Sequence, residues 1–118
     1  MQLLPEVEVW YGLPALRAAL AKALKTRGKT QKQIAHTLGI TESAVSQYLT
    51  GKRGMSRLPL RIVKEIDVSA DRMLNASSGV VVSELMRLVH LLRETRVICD
   101  LHRQHVEGLP AKCEHCFP

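Results

Sequence analysis

The chain has 118 residues, 46% of them hydrophobic and only 3% aromatic, and carries a formal charge of +6. That length suits one domain with a short appendage and argues against two. No charged leader precedes an apolar run and no 18-residue uncharged stretch occurs, so neither a signal peptide nor a membrane span is expected, and the protein is expected in the cytoplasm.

In chain order, residues 1–13 contain an alternation of Val7, Val9 and Tyr11 against Glu8 and Trp10, which reads as a short strand or extended arm. Pro14 suits a first helical turn, and Leu16, Leu20, Ala23 and Leu24 recur at helical spacing until Gly28, predicting a helix from Pro14 to Arg27. Thr30 caps a second helix over Gln31 to Leu38, ended by Gly39, and Thr41 caps a third that runs to Leu49. A fourth is predicted from Leu58 to Ile66. The polar run Ser69 to Gly79 reads as a connector. From Val80 to Ile98 a longer helix is expected, with Ser83, Glu84, Arg87, His90 and Glu94 on one face and an apolar arc over the rest. With Trp10, Tyr11, Tyr48 and Phe117 as the only aromatics, the core must come from Leu, Val, Ile and Ala, as packed helices allow.

The charge is unevenly spread. Between Pro14 and Lys64 stand eleven basic residues (Arg17, Lys22, Lys25, Arg27, Lys29, Lys32, Lys52, Arg53, Arg57, Arg61 and Lys64) against one acid, Glu42, a local excess of +10 that leaves −4 for the remainder. Such a block points to a polyanionic partner, because each Lys or Arg that neutralises a phosphate releases condensed counterions. A solvated basic face kept for solubility is the plainer alternative.

Within that block, Gln31 to Thr50 reads QKQIAHTLGITESAVSQYLT. Ala35 is small where two helices must approach, Gly39 stands where the corner needs a positive φ, and Ile34, Leu38, Ile40, Val45 and Leu49 point to a shared core. The stretch, with its tail QYLTGKRG from Gln47 to Gly54, resembles the Xre and lambda-repressor type of helix-turn-helix. More widely, the chain resembles a predicted archaeal family of transcriptional regulators with an Xre-like domain and a cysteine-bearing tail.

The resemblance implies that the start of the third helix enters a major groove of double-stranded DNA, with Glu42, Ser43 and Gln47 meeting base edges. Glutamine can bond adenine at two points, glutamate can accept from cytosine, and serine adapts to either; Glu42 can equally be a first-turn acid that favours the helix dipole. Gln31, Lys52 and Arg53 match positions that contact phosphate, which fixes register without reading sequence. The full DNA-facing set is Gln31, Thr41, Glu42, Ser43, Ser46, Gln47, Lys52 and Arg53. Tyr48 is a secondary candidate for sugar-phosphate contact, or a core aromatic.

One such unit spans few base pairs, so a homodimer is expected, with the surplus apolar face of Val80 to Ile98 as the pairing surface; packing of that helix back on its own core is the alternative. All three cysteines fall in the last 20 residues, an arrangement unlike a disulfide scaffold. Cys99, His102, Cys113 and Cys116 form C-x2-H-x10-C-x2-C, two ligand pairs whose spacing suits a tetrahedral zinc site, with an iron-sulfur cluster as the alternative cofactor. His105 and His115 are substitutes for His102, whereas His36 and His90 read as ordinary helix-surface residues.

No Gly-rich phosphate loop, nucleophile elbow or paired carboxylates argue for an enzyme. The expectation is therefore an all-α regulator: an arm (1–13), a lambda-repressor-like helix-turn-helix bundle (14–68), a connector (69–79), a long dimerisation helix (80–98) and a small metal-binding tail (99–118). The competing reading is an adaptor or antitoxin-like module that uses the same fold to bind protein, with DNA binding incidental.

Overall fold

A computed structural model describes residues 3–54 and 57–105. Among these residues every regular element is helical. The chain begins with a short α1, Leu4–Val7, continues through a π-helical turn, Glu8–Gly12, and runs without interruption into α2, Leu13–Thr26. The expected strand or arm over residues 1–13 is thus corrected for residues 4–12. Val7, Glu8 and Gly12 are buried and Leu4 and Tyr11 half-buried, a spacing of three and four that belongs to a helix, whereas Val9 and Trp10 face outward. The alternation of valines at period two concealed it.

The widened turn has a local cause. Pro14 has no N–H, and a proline ring within a helix crowds the carbonyl four residues earlier. Opening the preceding turn into a π-helix, with Leu13 donating its N–H to the carbonyl of Glu8, lets the helix pass through the proline. Gly28, at φ 87°, then ends α2.

The next two helices match the sequence expectation, α3 at Gln31–Leu38 and α4 at Glu42–Leu49. The next helix, α5, is longer than expected, Leu60–Met73 in place of Leu58 to Ile66, and takes in half of the presumed connector. Its buried face, Ile62, Ile66, Ser69, Ala70 and Met73, simply continues; Ser69 is polar yet fully buried, because its hydroxyl donates to Glu84 at 2.8 Å and accepts from Arg87. A short link through Asn75, at φ 58°, leads to α6, Ser78–Glu94.

The expected single helix from Val80 to Ile98 is broken. Arg96 at φ 63° turns the chain, and α7, Val97–His105, folds back. This answers the surplus of apolar surface: Val81, Leu88 and Leu92 of α6 and Val97, Ile98 and Leu101 of α7 are buried in the chain's own core, with α7 packed on α1 and the π turn. Nor is the polar face of α6 uniformly solvated. Ser83, His90 and Glu94 are exposed, but Glu84 is buried, bonded by Ser69 and paired with Arg72 and Arg87.

Helix α2 lies at the centre. Its Leu16, Leu20, Ala21 and Leu24 share one core with Ile34, Leu38, Val45, Tyr48, Ile62, Ile66, Met73, Leu88 and Leu92. Charged side chains staple the outer layer: Arg93 of α6 donates through two nitrogens to the nearly buried Glu8 carboxylate, at 2.6 and 3.0 Å, and Arg27 at the end of α2 donates to Asp71 of α5 at 2.7 Å. No described helix is long and apolar enough to cross a membrane.

Candidate nucleic-acid interface

The corner between α3 and α4 is built by its own residues. Thr30 and Gln33 cap α3 reciprocally: the Thr30 hydroxyl accepts from the Gln33 N–H at 3.1 Å while the Gln33 side chain accepts from the Thr30 N–H at 2.9 Å. Gly39 ends α3 at φ 67°, a conformation that L side chains enter only with strain, and Thr41 caps α4 by accepting from the Ala44 N–H at 3.0 Å. Ile34, Ala35, Leu38 and Val45 are buried and Ile40 and Leu49 half-buried against the core, as expected of a tight two-helix corner.

On this frame Gln31, Thr41, Glu42 and Ser43 are exposed at the N-terminal ends of α3 and α4. Ser46 and Gln47 are half-buried one turn further along α4, and Lys52 and Arg53 are exposed just after it. Thr41 uses its oxygen for the cap, which leaves its hydroxyl proton available. The loop after α4 is drawn back on the helix: the Gln47 carbonyl accepts from the N–H groups of Lys52, at 2.8 Å, and Arg53, at 3.3 Å, and the Gln47 side-chain oxygen accepts from Arg53 at 3.4 Å. Gln47, Lys52 and Arg53 are thereby brought together.

Tyr48 is 2% exposed and belongs to the core, so the reading that takes it to a sugar-phosphate gives way to the packing one. Its ring instead carries the Arg53 guanidinium, 5.1 Å from the centroid. Sequence spacing gave no signal for that contact. Gly54, at φ 67°, is the anchor of the same loop: a Cβ there would stand 2.5 Å from the Pro14 carbonyl oxygen and 2.7 Å from the Ala18 Cβ, so only glycine lets the loop lie on α2.

The eleven basic residues are not equivalent. Arg27 is engaged by Asp71 and Asp67, and Arg61 donates to the Thr95 carbonyl at 3.3 Å. The hydrogen bond to Arg27 holds the Asp71 carboxyl below its ordinary range. Lys32 is exposed and Lys29 half-buried; they line a shallow hollow with Gln33, His36 and Thr37 of α3 and with Asn75. That grouping reaches from Lys29 to Asn75 in the sequence and was visible beforehand only as part of a charge total.

Of the metal-ligand set, Cys99 is half-buried and His102 buried on α7, so the presumed tail begins as a packed helix. Cys113, Cys116 and His115 lie outside the described residues, as does the His105 side chain. Among the described residues no three His, Cys, Asp or Glu side chains are grouped to hold a metal. His36 and His90 are on the helix surface as expected, the latter 3.1 Å from Glu94.

No curated protein and no solved structure matches the chain. Residues 20–58 match the helix-turn-helix family, a stretch that runs from the second half of α2 through α3 and α4 to the loop before α5. That stretch of the chain is a helix-turn-helix of the Xre and lambda-repressor type.

Proposed function

We propose that the protein is a sequence-specific transcriptional regulator that binds double-stranded DNA as a homodimer and sets the start of α4 in the major groove. The observation that carries this reading is the capped α3–α4 corner, which presents Glu42 and Ser43 to solvent, with Gln47 one turn on and Lys52 and Arg53 beside it. Base-edge donors and acceptors at a helix start, flanked by phosphate-seeking cations, are what major-groove reading requires. Gln31, Thr41 and Ser46 complete the DNA-facing set.

For the homodimer, the support left by the fold is a narrow stripe on the outer face of α6, where Val82 is 59% and Met86 63% exposed. These two lie one turn apart, so a second copy of the helix can cover them. At the other end of the chain, Cys99, His102, Cys113 and Cys116 would hold zinc, or an iron-sulfur cluster, a donor set that stays reduced in the cytoplasm where such a regulator works.

Selection of bound duplexes from a random pool, followed by titration of the winners against salt, tests the central claim. An enriched motif is expected, with two half-sites about 10 base pairs apart and affinity at least about 10³-fold above random duplex. Equal affinity for every duplex, abolished by salt, would overturn it in favour of the adaptor or antitoxin-like reading.

A further inference from the structure

A hollow of about 420 Å³ lies against α3, between the turn that precedes this helix and the link that follows α5. Lys29 enters it from the turn, and Lys32 and His36, one helical turn apart, from α3; Met73 and Asn75 stand on the side of the link. Among the described residues no carboxylate lines it, and the side chains of Lys29, Lys32 and His36 have no hydrogen-bonded or ionic partner. Asp67 and Asp71 of α5 are already paired with Arg27 and do not offset the two lysines. Gln33 spends its side-chain oxygen on the Thr30 N–H, which leaves its amide NH2 as a further donor. Like charges gathered on a concave wall raise the potential inside it, so the hollow favours an anion.

The geometry points to a binding site for a small phosphate monoester, its phosphoryl group among Lys29, Lys32 and His36 and its body toward Gln33, Asn75 and Met73. A phosphoryl group brings nearly two negative charges and three strong acceptor oxygens, which match two ammonium groups and an imidazole; a monocarboxylate would leave a cation unmatched. The space falls within the ~300–1,000 Å³ of small-molecule sites and exceeds what a bare ion needs. The DNA backbone is the other source of phosphate. Successive helix residues stand about 100° apart, which sets Lys32 and His36 about 100° and 140° around α3 from Gln31, the α3 member of the DNA-facing set. The hollow thus lies on another side of α3, and a free ester is the better match. Its charge cancels that of two lysines next to the helix-turn-helix, so occupancy weakens DNA binding; that consequence, unlike the site itself, rests on the DNA reading above.

The test is calorimetry and amide NMR on the full chain with inorganic phosphate, ribose 5-phosphate, adenosine monophosphate and ribose. It is repeated on the double variant Lys29→Gln with Lys32→Gln, on Asn75→Gly, which suits the backbone at φ 58°, and on Lys25→Gln, an exposed lysine outside the hollow. At least one ester is expected to bind one site per chain with a Kd of about 1 mM or tighter, to bind more tightly than inorganic phosphate, and to shift amides over residues 29–37 and 73–76, while ribose does not bind. The double variant should weaken that binding at least about tenfold and Asn75→Gly about threefold, with Lys25→Gln unchanged; the bound ester should lower operator affinity at least about threefold. Failure of both esters to bind, a preference for inorganic phosphate, or an equal loss in Lys25→Gln overturns the site. If neither ester binds and the double variant lowers the salt slope on random duplex by about 2, the hollow holds DNA backbone instead and the free ester is overturned. Ester binding with unchanged operator affinity overturns the coupling alone, and ester binding by a chain with no duplex preference overturns the DNA reading while the site stands.

Discussion

Gln47 is held at both ends, its carbonyl by the Lys52 and Arg53 N–H groups and its side-chain oxygen by the Arg53 guanidinium. Base reading would require that oxygen, or the amide beside it, to exchange Arg53 for an adenine edge, and Arg53 keeps the Tyr48 ring as a second support. Gln47→Ala should therefore cost about 1–3 kcal/mol on the preferred duplex and little on random duplex, whereas Lys52→Ala should weaken both alike and lower the salt slope by about 1. Titrations on the two duplexes at several salt concentrations check this, and equal losses for both variants would sink the assignment. Gly54 offers a test of stability. Gly54→Ala adds a Cβ against the Pro14 backbone in a left-handed conformation and should destabilise by about 2–4 kcal/mol in denaturant titration. A loss below about 0.5 kcal/mol would mean that the loop does not rest on α2.

Between elements, the α5–α6 contact is organised around one buried carboxylate. Burial alone would push the Glu84 carboxyl up, but the Ser69 hydroxyl and the Arg87 and Arg72 charges outweigh it and hold the carboxyl below its ordinary value of 4.5. A carboxylate with a depressed folded-state value contributes stability that is complete above its unfolded value and is lost as pH falls through the folded one. Thermal melts should therefore decline below about pH 4.5, a window set by the direction of this shift. Glu84→Gln should lose about 1–3 kcal/mol at pH 7 and show a flatter acid limb, so that the two curves approach each other at low pH. Parallel curves would show that Glu84 is not the group responsible. The same network explains why α5 was underestimated: Ser69 signals a loop in sequence, and only Glu84, 15 residues on, makes it a helix residue that can be buried.

At the scale of the whole molecule, the helix expected to pair two chains spends most of its apolar face inside one. Val82 and Met86 remain outside, so Val82→Glu with Met86→Glu should shift sedimentation from dimer to monomer while changing stability by less than about 0.5 kcal/mol. A monomeric wild type at tens of micromolar, a concentration above ordinary dimer dissociation constants of about 1 μM, would dispose of the pairing surface.

The helix-turn-helix was legible in the sequence almost residue for residue, because its determinants are local: Thr30 and Thr41 cap within three residues, Gly39 supplies its own φ, and the apolar positions repeat at helical spacing. The charged block was equally plain in the sequence. What only the tertiary structure decided lies at long sequence separation. The N-terminal helix is stabilised by Arg93, 85 residues from Glu8; Arg27 is withdrawn from the basic surface by Asp71, 44 residues away; and α7 turns back because Ile98 finds Gly12. Local propensity cannot register a partner that folding alone brings near, so the motif was predictable and the way the ends of the chain close around it was not.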